Sequence, residues 1–355
     1  MTTNPFFSIV IPTFNRLEDL RFTLFCIMRQ SFKDYEIIIS DNCSTDKTKE
    51  FIKEIKDKRV RYYRNKENIG SIQNFKKALG YAKGEYIFFH GDDDFLIFES
   101  SLQDIFVKIN KNKRGYIRVN YINQTPDKKI IFDFRATKSF MGDRCLAPNS
   151  SSEKILSFIF SSEASFITGL IFKNKISKKI TIIDSDPLPW IAIMFYLTKQ
   201  FGSYFISFPY IIGSWSEWKV KEEGYHPLYS LNRGRIPGEN YFNFIKKHSR
   251  EDFYKKFLHH RLLTSYVKYF PAIKVYLGNK KFKGFVVRII KLNPDLRKSI
   301  IFWLYFIASY ICPRFLGKKI IKIYFNMYVK MYEVTNKRII KNLKKAKEDY
   351  SLFQG

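Results

Sequence analysis

One stretch restricts the fold more than any other: Tyr86-Ile87-Phe88-Phe89-His90-Gly91-Asp92-Asp93-Asp94-Phe95-Leu96, an apolar run that enters three successive carboxylates and turns apolar again. A strand this apolar is covered on both faces, which puts it near the centre of an open α/β sheet, and such sheets bind ligands beyond their strand carboxyl ends. Three adjacent acids there repel one another unless a cation or a cluster of donors neutralises them. A hard divalent ion, Mg²⁺ or Mn²⁺, does this with oxygen ligands and keeps part of its shell for water and phosphate. The competing reading is a solvated acidic turn that closes a hairpin.

The residues upstream supply the rest of such a sheet. Phe7 to Pro12 reads as a buried strand, Arg16 to Ser31 carries Leu17, Leu20, Leu24, Ile27 and Met28 at helical spacing, and Tyr35 to Ser40 is a second strand. A polar loop, Asp41 to Asp46, follows, in which Ser44 or Thr45 is placed to cap a helix running to about Lys56. Val60 to Tyr63, the turn Asn65 to Gly70 and a helix from Ser71 to Ala82 complete the approach to the central strand. Strands and helices alternating at these lengths predict a parallel sheet with right-handed crossovers. Pro12 to Arg16, Asp41 to Asp46, Asn68 to Gly70 and Asp92 to Asp94 then share one edge. No GxGxxG or GxxxxGK[ST] stands where a strand meets a helix, so a dinucleotide fold and a P-loop have no support.

These segments, in this order and spacing, closely resemble the family 2 glycosyltransferases of the GT-A fold. The resemblance is carried by Ser8-Ile9-Val10-Ile11-Pro12-Thr13-Phe14-Asn15-Arg16, by Asp41-Asn42-Cys43-Ser44-Thr45-Asp46, by Asn68-Ile69-Gly70 with Asn74, and by Gly91-Asp92-Asp93-Asp94-Phe95-Leu96. It is strong over about the first 100 residues and fades after them. It implies a nucleotide pocket lined by Pro12, Thr13, Phe14, Asn15 and Arg16, with Asp41 accepting a hydrogen bond from the base and Asn42, Ser44, Asn68, Gly70 and Asn74 around it. Asp92 to Asp94 matches the DXD element that binds metal and diphosphate, with Asp92 and Asp94 as the expected metal ligands and Asp92 and Asp93 beside the donor. Gly91 stands where many relatives carry the first acid of that element. Asn15 and Ser44 read equally well as helix caps, and Asn68 and Gly70 as turn formers.

The resemblance further implies an inverting single displacement with a carboxylate base in the acceptor half. Asp184 and Asp186 are the candidates, Asp186 being favoured because Pro187 could open a helix and leave that acid at its positive end; Glu163 is a third. Thr168-Gly169 precedes what reads as the acceptor-side strand. Trp215 to Arg235 has the composition of a lid, and His226 is a further candidate metal ligand, with plain surface histidine as the alternative. The QxxRW element of processive members is missing, which favours transfer of one sugar.

Charge decides the reading of the last third. The formal net charge is +29, and the stretch from Pro271 to Gly355 holds 19 Lys and Arg against 4 Asp and Glu. Ile300 to Cys312 is the most apolar run in the chain, shorter than a membrane-spanning helix, and is flanked by Arg297, Lys298 and Arg314. Such a composition predicts docking on an anionic membrane surface through residues 280–345, with an ordinary helical subdomain or an oligomer contact as the other reading. The four cysteines show no metal spacing, and nothing at the amino terminus reads as a signal peptide.

The expected organisation is a GT-A domain over 1–240, divided into a nucleotide-sugar half (1–100) and an acceptor half (101–240), then a basic helical region over 241–350, with 351–355 read as a protease-site scar. The expected partners are a nucleoside-diphosphate sugar, a polyprenyl-diphosphate-linked glycan and the cytoplasmic face of the plasma membrane, with homo-oligomers open. A basic lipid- or nucleic-acid-binding protein on an inactive GT-A scaffold is the alternative. It is disfavoured by the intact acids and by the lack of any RRM, helix-turn-helix or zinc pattern.

Overall fold

The computed structural model describes residues 4–125, 131–132, 142–161, 166–174, 189–214, 239–313, 316, 319, 323, 327, 330–331 and 333–354. Two compact units result: Met1–Trp215 together with Glu333–Gly355, and Ser216–Tyr332.

The first unit is built on a ten-stranded sheet. In chain order it contains β1 (Phe7–Thr13), α1 (Leu17–Met28), β2 (Tyr35–Asp41), α2 (Thr48–Glu54), β3 (Val60–Arg64), α3 (Ser71–Tyr81), β4 (Tyr86–Phe89), β5 (Phe95–Leu96), α4 (Ser101–Asn112), β6 (Tyr116–Gln124), β7 (Ile131–Phe132), β8 (Arg144–Leu146), α5 (Ser152–Ser161) and β9 (Leu170–Lys173). The helix Pro189–Phe201 and β10 (Ser203–Ser214) follow. β2 and β4 are buried along their whole length, as near-continuous apolar runs require.

The expected parallel sheet is found only in the first half, where β3, β2, β1 and β4 pair in parallel. Beyond β4 the sheet is mixed, in the order β3-β2-β1-β4-β9-β6-β10-β5. β4 stops at the acidic turn, and β5 is paired antiparallel with β10 at the far end of the sheet. The place beside β4 is taken by β9, antiparallel to both β4 and β6. Its lead residue Gly169 has φ +84°, and a Cβ there would lie 2.8 Å from the Val119 carbonyl oxygen. Glycine is what lets the chain turn so tightly against β6.

The first unit also contains the helix Lys337–Gln354, on which Ile339 and Leu343 join the sheet's core. Tyr350 packs edge-on against Phe22 and Phe25, and Arg29 pairs with Asp349 at 2.6 Å. Residues 351–354, which the sequence sets apart as a scar, continue this helix.

The described residues of the second unit are helical. Its helix Ile300–Ile311 is anchored at both ends: the Ser299 hydroxyl accepts the Phe302 N–H at 3.4 Å, and buried Lys274 donates to the carbonyls of Tyr310 (3.0 Å) and Cys312 (2.6 Å). These bonds satisfy groups that a helix end leaves without intrahelical partners. Among the described residues no helix is long and apolar enough to cross a membrane.

Candidate active site

The strand register brings the motifs together. Thr13 is the partner of Asp41 across β1 and β2, and Val10 that of Phe89 across β1 and β4, so the loops after β1, β2 and β4 open at one edge.

The acidic turn is tied to that edge from three directions. The Thr13 hydroxyl donates to Asp92 Oδ2 at 2.8 Å. Arg16 Nη1 lies 3.2 Å from Asp92 Oδ1 and 2.9 Å from Asp93 Oδ2. From α1, the Thr23 hydroxyl reaches the carbonyls of Asp92 (3.0 Å) and Asp94 (2.7 Å). Burial would weaken the Arg16 guanidinium as a base, but the charges of Asp92 and Asp93 outweigh it and raise its pKa further.

Asp94 is placed differently from its two neighbours. Its Oδ2 accepts from the Thr168 hydroxyl, which in turn accepts the Gly91 N–H at 2.7 Å. Thr168 is held by Arg118, a fully buried side chain whose Nη1 donates to the Thr168 carbonyl at 2.7 Å. The structure therefore pairs Asp92 with Asp93 on the Arg16 side and ties Asp94 to the segment leading into β9. The departure at Gly91 has the same cause: a Cβ there would sit 2.4 Å from Asp94 Oδ2 and 2.9 Å from Thr168 Oγ1.

His90, at the end of β4, is fully buried, and burial pushes its pKa down to about 4 against the pull of the Gly91 carbonyl and Asp93. Its Nδ1 lies 2.9 Å from the Gly91 carbonyl and so carries the proton. Nε2 has no partner among the described residues.

Asp41 is fully buried, with Oδ1 accepting the Ser44 N–H at 2.8 Å and Oδ2 accepting from the Tyr62 hydroxyl, with Arg64 Nε at 3.5 Å. Burial and this bond together push the Tyr62 phenol above its ordinary range.

Asn15 and Ser44 are not helix caps. Asn15, at φ 52°, donates its N–H to Ser44 Oγ at 3.0 Å, and its Oδ1 accepts the Thr45 N–H at 2.7 Å, which stitches the β1 loop to the β2 loop. α2 begins only at Thr48, whose N–H is taken by Asp46 Oδ1 at 3.1 Å, so neither Ser44 nor Thr45 caps it. Asn42 bridges to the third loop: it donates to Asn68 Oδ1 (2.6 Å) and accepts from the Ile69 N–H (3.0 Å). Asn74 holds Ser40 through two 2.8 Å bonds, and Asn68 accepts the N–H of Gly70, at φ +80°. These residues build the edge. Phe14 stands at it with an exposed ring.

Thr23, Thr168, Tyr62 and Arg64 had no assigned role in the sequence reading. Thr23 lies 69 residues from the turn it holds and Thr168 74 residues from Asp94, so no local pattern links them. The candidates Asp184, Asp186, Glu163 and His226, and the loop Trp215 to Arg235, lie outside the described residues.

Among the described residues there is no cluster of three or more His, Cys, Asp or Glu around a common point. Of the expected ligand pair Asp92 and Asp94, Asp94 Oδ2 is engaged by the Thr168 hydroxyl, so the fit for a divalent ion is tested on the two carboxylates that converge. Asp92 Oδ1 and Asp93 Oδ2 already converge on one cationic nitrogen, and hard oxygen donors are what Mg²⁺ or Mn²⁺ takes. The residues fit, with the remaining ligands left to phosphate and water.

A mixed α/β sheet with its acids and loops gathered at one strand edge has the layout of an open α/β ligand-binding domain. Residues 8–164 match the family model "Glycosyl transferase family 2". The GalNAc(5)-diNAcBac-PP-undecaprenol beta-1,3-glucosyltransferase of Campylobacter jejuni is 36% identical over 118 residues, 32% of this chain and 37% of that protein. The abequosyltransferase RfbV of Salmonella typhimurium is 32% identical over 165 residues, 39% of this chain and 48% of that one. The chain thus spans between about a third and a half of the curated relatives it matches.

Among solved structures, TarS of Staphylococcus aureus in complex with UDP-GlcNAc superposes with TM-score 0.54 at 17% identity, over 89% of this chain and 91% of that one. The mannosyltransferase PcManGT of Pyrobaculum calidifontis, in complex with GDP-Man and Mn²⁺, gives 0.50 at 17% identity over 87% of each. At these identities the likeness is one of fold.

Proposed function

We propose that this chain transfers a single sugar, with inversion, from a nucleoside-diphosphate sugar to a glycan carried on a polyprenyl diphosphate, in the assembly of a bacterial surface glycan. The observation that carries this is the convergence of Asp92 and Asp93, at the carboxyl end of the central strand, beside the Thr13–Arg16 loop and Asp41. Relatives named for acceptors on undecaprenol diphosphate support the acceptor class.

Phe14 offers an exposed ring face on which a base can stack. Asp41 has acceptor capacity left on Oδ1 for the imino N–H of a uracil-like base, since a carboxylate oxygen carries two lone pairs and the Ser44 N–H uses one. Because Asp41 is fully buried in the free chain, that contact requires the Asn42 to Thr45 loop to move. Asp92 and Asp93 would hold a divalent ion, which when bound offsets the charge on the departing diphosphate. Asp94, Thr168 and Gly91 keep the turn in shape for that pair. On the acceptor side, the base is a carboxylate of the 184–186 segment, with Asp186 preferred. It takes the acceptor hydroxyl's proton as that oxygen bonds to the anomeric carbon from the face opposite the diphosphate, whose oxygen leaves with the bonding pair.

Peripheral attachment to the cytoplasmic face of the membrane belongs to the same proposal. Its support is the helix Ile300–Ile311, nine of whose twelve residues are exposed although nearly all are apolar or aromatic. Leu316, Ile323, Met327 and Met331 are exposed as well, and Arg297, Lys298, Lys319 and Lys330 add positive charge suited to anionic lipid. Within the 280–345 stretch, Ile339 and Leu343 do not contribute, because they are buried in the first unit.

Calorimetric titration of UDP, GDP, CMP, CDP and dTDP with Mn²⁺ or Mg²⁺ tests the donor half. One nucleotide is expected to bind in a metal-dependent way, and Asp93→Ala to abolish that binding. No binding by any of them, with or without metal, would contradict the proposal.

A further inference from the structure

Arg16 occupies a place that the reaction does not explain by itself. One nitrogen, Nη1, bridges Asp92 Oδ1 and Asp93 Oδ2, the two oxygens that would face a divalent ion. The bridge is not a loose surface pair: the Arg16 side chain is 19% exposed and the carboxylates 9% and 5%. Thr13 fixes the second oxygen of Asp92 and Thr23 fixes the backbone carbonyl of the same residue, so the acids are held in the geometry that the guanidinium finds.

We infer that Arg16 is the resident counter-cation of the Asp92–Asp93 pair in the unloaded chain, and that it yields these carboxylates to a metal ion only when a nucleoside diphosphate offers it phosphate oxygens in exchange. The inference rests on the reading that Asp92 and Asp93 take the ion and the diphosphate. A guanidinium drawn out of a largely buried carboxylate pair loses charge-assisted hydrogen bonds that water replaces poorly, whereas a phosphate replaces them in kind. Charge gives the same answer. A divalent ion entering alone meets a neighbouring positive charge already satisfied by the two acids. Entering with a diphosphate, it meets enough negative charge for both cations. Metal and nucleotide therefore load together, and each strengthens the other by the same factor, as linkage requires. Without donor, the chain leaves metal largely unbound.

The test uses the full chain and reads binding, not turnover. Mn²⁺ alone, UDP alone and each in the presence of the other are titrated by calorimetry, with free Mn²⁺ followed independently by its paramagnetic resonance signal; if another nucleotide is the one that binds, it replaces UDP. In the wild type, the nucleotide is expected to raise Mn²⁺ affinity by about tenfold or more. In Arg16→Gln, Mn²⁺ alone binds about tenfold more tightly than in the wild type, while the nucleotide binds more weakly and the coupling shrinks. Arg16→Lys falls between, since an ammonium group lacks the planar fork.

Equal Mn²⁺ affinity with and without nucleotide in the wild type overturns the inference, as does an Arg16→Gln variant whose affinity for Mn²⁺ alone is unchanged or lower. Should Arg16→Gln fail to fold by thermal melting, the wild-type coupling and Arg16→Lys decide. If no nucleotide binds under any condition, the transferase reading has failed. If nucleotide and metal both bind but removing Arg16 does not free the metal site, only this inference has.

Discussion

β4 and the helix Ile300–Ile311 are close in composition and opposite in exposure. Tyr86 to Phe89 are entirely buried at the centre of the sheet. On the helix, only Phe302 and Ser309 are buried, while Ile300, Leu304 and Ile311 are 76%, 63% and 73% exposed. Loose attachment does not explain this, since Ser299 and Lys274 secure both helix ends and Phe302 packs edge-on against Phe270. The lesson is that hydrophobicity alone does not assign a segment to a core. β4 uses its apolar residues to fix three acids in place, whereas the helix holds its apolar residues out as a surface.

A series of substitutions would break or sharpen that contrast. Phe88→Ala in β4 is expected to cost about 3–5 kcal/mol of stability in chemical denaturation, against a change within about 0.5 kcal/mol for Ile307→Ala on the helix. Similar losses at the two sites would erase the distinction.

Replacing Leu304 and Ile307 together by Glu should reduce co-sedimentation with phosphatidylglycerol vesicles by about tenfold or more, each side chain being worth about 1.5–3 kcal/mol when buried in lipid. Stability should be unchanged, and phosphatidylcholine vesicles should retain little of either form. Loss of self-association in place of lipid binding would reassign the surface to a second copy of the chain.

Thr168→Val leaves the Gly91 N–H and Asp94 Oδ2 without their shared partner and is expected to cost about 1–3 kcal/mol. Asp93→Ala should lower the melting temperature, because Arg16 loses its 2.9 Å partner in a largely buried pair, and should also remove metal-dependent nucleotide binding, whereas Thr168→Val should retain that binding, which separates the acid that binds from the group that shapes the turn.

The smallest effect concerns Glu36, at the opposite edge of the sheet. Burial opposes its ionisation, but bonds from Ser8, the Lys83 N–H and Arg61 outweigh burial and lower its pKa. A lowered folded-state value contributes stability above the ordinary glutamate range and loses it as the pH falls through the folded value. Acid unfolding curves of Glu36→Gln should therefore be flatter than wild type below about pH 4.

How much could be read from sequence followed the same division. The strands carrying Thr13, Asp41 and the acidic turn were legible because each is a local apolar run ending in polar residues, and pairing such runs in parallel forces their ends together. The partition among the acids was not, because it depends on Thr168 and Arg118, distant in sequence and brought close only by an antiparallel strand that strict alternation does not foresee. Asn15 and Ser44 read as pocket residues or as caps, because the same side chains serve as caps and as loop stitches, and only the neighbouring loop excludes the cap. Ile339 and Leu343 sit in a helix as basic as the segment before it, and two buried apolar positions were enough to assign it to the first unit's core.

The most direct test of the central claim is a transfer assay. Nucleoside diphosphate release from UDP-, GDP- and dTDP-sugars would be followed with and without a polyprenyl-diphosphate-linked glycan, and again in EDTA. Release from one donor that requires both the lipid-linked acceptor and the metal, and that is lost in Asp93→Ala, is the expected result. A folded chain that releases nothing from any donor, or whose transfer survives both EDTA and Asp93→Ala, would contradict the account.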